Sequence, residues 1–96
     1  MTPPDTGTMN LPPSLDLAGA EKLCRDLRAK ILAAEPIVLE GSQVERISTP
    51  SMQVLLAALK GAEARGLAFK LESPSRAITD AMADLGLETH FSAVRT

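Results

Sequence analysis

The sequence predicts an α/β domain with a sheet of four to five strands flanked by three or four helices. Three observations carry this. Short β-branched or alternating runs, at residues 36–40 and 67–72, are separated by longer segments whose apolar residues recur at helical spacing. The two later helical segments open on a hydroxyl-proline device, Ser48-Thr49-Pro50-Ser51 and Ser73-Pro74-Ser75. The connections are only a few residues long. Helix, strand, helix, strand, helix in this rhythm is the signature of βαβ units, whose crossovers place helices consistently against a central sheet.

Composition limits the possibilities. Ninety-six residues supply one modest core and are too few for a full doubly wound domain. Apolar residues make up 45% but aromatics only 2%, so Leu, Ile, Val, Ala and Met must fill the core, and base-stacking recognition of nucleic acid is disfavoured. A net charge of −2 removes the main electrostatic reason to expect nucleic-acid or anionic-membrane binding. The lone Cys24 forms no internal disulfide and no Cys-based zinc cluster, which suits a reducing cytoplasm. It falls on the apolar side of a predicted helix and reads as a small buried hydrophobe. No apolar run approaches the roughly 20 residues needed to cross a bilayer. The start, MTPPDTGTMN, lacks the basic and apolar regions of a signal peptide. A cytoplasmic protein without membrane insertion is expected.

Residues 1–7, rich in Pro, Thr and Gly, are expected to form a flexible tail, and residues 8–96 the single domain. Thr8-Met9-Asn10-Leu11 and Ser14-Leu15-Asp16-Leu17 flank Pro12-Pro13, so any strands there are short and lie at an edge or a bulge. Residues 18–34 form an amphipathic helix, with Ala20, Leu23, Cys24, Leu27, Ile31 and Ala34 on one side. Asp16 is its cap, and Pro36 ends it. Residues 36–40 read as a buried parallel strand. Residues 44–66 begin as a loop and become the most apolar helix of the chain, capped by Thr49 and ended near Gly66. From Met52 onward almost no polar face remains, so burial is expected everywhere except at the N-terminal tip. Residues 67–72 alternate as a strand. Ser73-Pro74-Ser75 then repeats the cap-then-proline device and opens a third helix, with Ala77, Ile78, Ala81, Met82 and Leu85 as its apolar stripe and Gly86 as its stop. Residues 87–94 add a short strand or one last helical turn.

Reactive groups are scarce. His90 is the only histidine, and one His with one Cys gives no metal-ligand spacing. The scattered glycines, Gly41 and Gly61 among them, form neither a P-loop nor a dinucleotide fingerprint. Asp80 and Asp84 read as solvated helix charges, whereas Glu45 and Arg46 stand beside the capped helix start. By elimination the chain reads as a binding module, with neither catalytic residues nor a cofactor.

The segment Ile47-Ser48-Thr49-Pro50-Ser51-Met52-Gln53-Val54-Leu55-Leu56 resembles the STAS domain family, named for sulfate transporters and anti-sigma factor antagonists. In that family a strand ends in an Asp-Ser/Thr-Ser/Ala-Gly-Leu motif that opens a very apolar helix. The likeness continues through Gly66, Phe69-Lys70-Leu71, Ser73-Pro74-Ser75 and Leu85-Gly86-Leu87, and it also takes in Leu11-Pro12 and Leu15-Asp16-Leu17. It implies a STAS-like fold with a mixed sheet, and a non-enzymatic bacterial signalling role. The partner would be an anti-sigma factor kinase, a chemotaxis kinase or, for an accessory subunit of a lipid-transport system, an ABC ATPase. Partner contacts are carried to Arg46, Ser48, Thr49, Pro50, Ser51, Met52 and Gln53. The family's phosphorylated Ser precedes the motif Gly, and that place falls on Pro50, which has no hydroxyl. The motif Asp falls on Ser48 and the Gly on Ser51. Thr49 keeps the Ser/Thr position, so Thr49 and Ser51 are the candidate phosphoacceptors.

Overall fold

The structure is a computed structural model that describes residues 8–95. The tail expected over residues 1–7 lies outside the described residues. The elements are β1 (Thr8–Asn10), β2 (Ser14–Leu15), α1 (Leu17–Leu32), β3 (Ile37–Glu40), β4 (Arg46–Ile47), α2 (Thr49–Ala64), β5 (Phe69–Glu72), α3 (Arg76–Leu85) and α4 (Glu88–Phe91). The α/β class and the order of helices and strands agree with the sequence reading. The five strands divide, however, into a three-stranded sheet of order β1-β3-β5 and a two-stranded pair β2-β4, and every pairing is parallel.

The division begins at Pro12-Pro13. Proline has no N–H to give a ladder, so β1 stops pairing with β3 there. The carbonyl of Pro13 instead accepts from the backbone N–H groups of Glu45 and Arg46, at 2.7 and 3.1 Å. The chain thus leaves one sheet and pairs with the segment that precedes α2.

In β3, Ile37 and Leu39 are buried while Val38 and Glu40 are half-buried. Their register neighbours repeat the division, with Phe69 and Leu71 inside and Lys70 exposed. The strand expected to be buried is therefore fully covered on one face only. On that face Ile37, Leu39 and Leu71 join Leu27 of α1, Leu55 and Leu59 of α2, and Ile78 and Met82 of α3 in one core. Both aromatics belong to it as well, with the rings of Phe69 and Phe91 6.5 Å apart and tilted.

Asp16 caps α1, its Oδ1 accepting from Gly19 N at 2.8 Å. The helix buries Ala20, Leu23 and Leu27. Cys24 is only half-buried, which corrects the expectation of a core thiol. The cap of α3 follows Pro74 rather than preceding it, which corrects the cap-then-proline reading: the Ser75 hydroxyl accepts from Ile78 N at 3.3 Å, and Gly86, with φ of 70°, ends the helix. At the end of β3, a Cβ on Gly41 would stand 2.8 Å from Ile78 Cδ1, so a larger residue there requires the end of that side chain to shift. Of the two endings expected for residues 87–94, the helical turn occurs and the strand is reduced to one isolated bridge just beyond that range. Residues of α4 make one helical turn, and Arg95 then forms a parallel bridge with Leu71, whose N–H donates to Val94 O at 2.9 Å. This contact covers part of the outer edge of β5.

Candidate functional site

Two helix starts are brought side by side by the small β2-β4 pair. Leu15 stands opposite Ile47, and one residue further on Asp16 caps α1 while Ser48 caps α2. Neither helix has an acidic residue in its first turn, so two positive dipole ends share this corner, offset by the Asp16 carboxylate.

The cap of α2 is Ser48, which corrects the assignment to Thr49. Ser48 is the last extended residue, with φ of −80° and ψ of 159°. Its N–H donates to Leu15 O at 2.9 Å, and its carbonyl accepts the first helical bond, from Met52 N at 3.1 Å. Its hydroxyl accepts from Ser51 N at 3.2 Å. Thr49 and Pro50 then occupy the first helical positions, where the missing proline N–H would have had no partner.

Ser51 is 0% exposed. Its Oγ donates toward Leu15 O at 3.1 Å, with Asp16 O at 3.3 Å, and accepts from Ser48 Oγ at 3.0 Å. Met52 is equally buried, in the core. Two of the residues expected at the docking surface are thus structural: Ser51 ties α2 to the β2–α1 junction, and Met52 anchors the first turn. Arg46, Thr49, Pro50 and Gln53 are exposed around them, and Ser48 is half-buried. Thr49 is the candidate phosphoacceptor that presents its side chain to solvent. Ser51 can take a phosphoryl group only after this corner opens.

The expectation that α2 is buried beyond its tip is also corrected. Gln53, Ala57 and Lys60 are exposed, and Val54 and Leu56 half-buried. The Gln53–Ala57 flank forms one wall of a groove of about 390 Å³ against α1, where Cys24, Leu27, Arg28 and Ile31 form the other. Sequence reasoning missed this groove because Ala57 and Ala58 fit a buried or an open position equally well. The one available signal was an exposed Gln53 in line with Ala57 at helical spacing.

Groups suited to catalysis do not converge here. Among the described residues, no set of three His, Cys, Asp or Glu side chains is arranged to hold a metal ion. His90 lies exposed on α4. Asp80 is engaged by Arg76 at 3.8 Å on the outside of α3. No helix among the described residues is long and apolar enough to cross a membrane.

Among known proteins, the family model described as "Mlab, STAS domain" matches residues 2–95. No curated protein matches the chain significantly.

Proposed function

The chain belongs to the STAS domain family, and from that premise we propose that it is a non-enzymatic, cytoplasmic bacterial signalling adaptor that docks a kinase-like regulatory protein on the tip of α2. STAS domains are protein-interaction domains, and the partner class proposed is an anti-sigma factor kinase or a chemotaxis kinase. One observation carries the reading. The Ser51 hydroxyl, buried against the Leu15 carbonyl, pins the first turn of α2 and leaves Thr49, Pro50 and Gln53 as a preorganised surface flanked by Arg46. A surface already held in its bound shape loses little entropy on docking. Pro50 stands where the family's phosphoacceptor falls, so recognition here rests on shape and on Thr49 rather than on the usual phosphoserine.

The test is calorimetric titration of the protein against the kinase encoded nearest to it, with wild type and Thr49→Arg compared. The variant is expected to lose more than about tenfold in affinity, as a central contact does, while its circular dichroism stays unchanged and its stability falls by no more than the roughly 0.3–1 kcal/mol that a cation costs at a helix N-terminus. Equal affinity for both proteins would remove the tip from the interface.

A second reading is favoured by the exposed hydroxyl of Thr49 at the start of α2. Family members that serve as accessory subunits of lipid-transport ABC ATPases keep a Thr at this place. In that case the protein co-purifies with an ATPase, and Thr49→Ala changes ATP turnover by the reconstituted transporter. Unchanged turnover counts against it.

A further inference from the structure

One face of α1 is left uncovered by the fold. Leu17 and Leu32, at the two ends of the helix, are 63% and 69% exposed, and Glu21 and Arg28 are exposed between them. At 3.6 residues per turn these four side chains fall within about 60° of arc, on a stripe separate from the buried Ala20, Leu23 and Leu27. Scattered exposed leucines need no explanation. The order of the stripe does. Leu17 with Leu32, and Glu21 with Arg28, are both centred on the same point, between Cys24 and Arg25. Reversing the chain direction therefore lays leucine on leucine and carboxylate on guanidinium.

We propose that this face pairs with the same face of a second copy of the chain, the two α1 helices running antiparallel about a two-fold axis between Cys24 and Arg25. A two-fold interface must be complementary to itself, and this stripe is. Each Leu17 packs on Leu32 of the second copy, and each Glu21 meets its Arg28. A parallel arrangement would set Glu21 on Glu21 and Arg28 on Arg28, which like-charge repulsion disfavours. Within one chain, Glu21 and Arg28 stand about 10 Å apart along the helix axis. The ion pairs on α1 use other residues, Lys22 with Asp26 at 2.8 Å and Lys30 with Glu35 at 3.7 Å. Among the described residues, neither Glu21 nor Arg28 takes part in an ion pair. Arg28 and Leu32 also border the groove against α2, so the second copy covers that wall of it.

A single helix seam buries less than the roughly 800 Å² per partner of a standard interface, so the expected dissociation constant is on the order of 100 µM. The test is sedimentation equilibrium of the full chain between about 10 µM and 1 mM, the range in which so small an interface associates. Wild type is expected to form dimers. Glu21→Arg and Arg28→Glu each place like charges across the axis and are expected to weaken association about tenfold. The doubly swapped variant restores both pairs and is expected to return to within about threefold of wild type. Leu32→Asp is expected to give monomer throughout, and circular dichroism checks that each variant is folded. A wild-type chain that stays monomeric at the highest concentration overturns the proposal, as does a double swap no stronger than its single variants. Thr49→Arg leaves self-association unchanged, so the result is independent of docking at the α2 tip.

Discussion

The hydroxyl of Ser51 lies 3.1 Å from the carbonyl oxygen of Leu15, a residue 36 positions earlier in the chain. This bond joins the start of α2 to the strand that leads into α1, and so fixes how the two helix ends stand together. Ser51→Ala removes it without adding volume. The Leu15 carbonyl keeps Ser48 N at 2.9 Å and the Asp16 carbonyl keeps Ala20 N at 2.8 Å, so no carbonyl is stranded. The expected loss is about 1–2 kcal/mol, seen as a fall in Tm of roughly 4–8 °C per kcal/mol. Faster amide exchange at residues 51 and 52 would accompany it.

A negative charge is expected to have opposite effects two residues apart. Thr49 is exposed at the positive end of α2, whose first turn holds no acidic residue. Thr49→Glu is therefore expected to gain about 0.3–1 kcal/mol. Ser51→Glu forces a larger, charged group into a fully buried site and is expected to lose more than about 3 kcal/mol. Thermal melts of the two variants give the comparison directly. A stable Ser51→Glu protein would mean that the corner opens readily, and would return Ser51 to the list of phosphoacceptors. With the corner closed, phosphate transferred to the tip is expected on Thr49.

Met52 and Gln53 separate the structural part of the tip from its surface. Met52→Ala empties a fully buried core position and is expected to lose about 2–5 kcal/mol. Gln53→Ala is expected to stay within about 0.5 kcal/mol of wild type. Urea denaturation of the pair measures both. Any effect of Gln53→Ala on partner titrations then reports on contact rather than on folding.

Local features were legible in the sequence, and features that depend on distant residues were not. Asp16 and Gly86 act where the sequence reading put them, because a cap or a stop needs only its own neighbours in the chain. Ser48 and Thr49 both offer a hydroxyl before Pro50. Which one caps α2 is decided by the bond from Ser48 N to Leu15 O, a contact with another strand. The same distant strand buries Ser51. Pro12-Pro13 correctly announced short strands, yet nothing local says that β2 pairs with β4 rather than extending the main sheet. On α2, alanines concealed the open flank, since their small side chains fit inside or outside alike.

The ends of α1 and α2 offer a test of backbone strain alone, because they share one geometry built on different residues. Ala34 and Gly66 both hold a left-handed backbone, with φ of 58° and 69°. In α1, Ala34 N donates to Ile31 O at 3.0 Å and Glu35 N to Lys30 O at 2.9 Å. In α2, Gly66 N donates to Glu63 O at 3.1 Å and Leu67 N to Ala62 O at 2.8 Å, the same pair of bonds. A side chain costs energy in this conformation and glycine does not. Ala34→Gly is expected to raise stability by about 0.5–1 kcal/mol, and Gly66→Ala to lower it by about 1 kcal/mol. Beyond its two chain neighbours, no heavy atom lies within 4 Å of a Cβ built on Gly66, so the loss there comes from the backbone and not from a clash. The two positions lie at the ends of different helices, so the effects are expected to add, leaving the double variant close to wild type. Urea midpoints at constant denaturant slope measure all three. A Gly66→Ala protein as stable as wild type would show that this helix end relaxes out of the left-handed region.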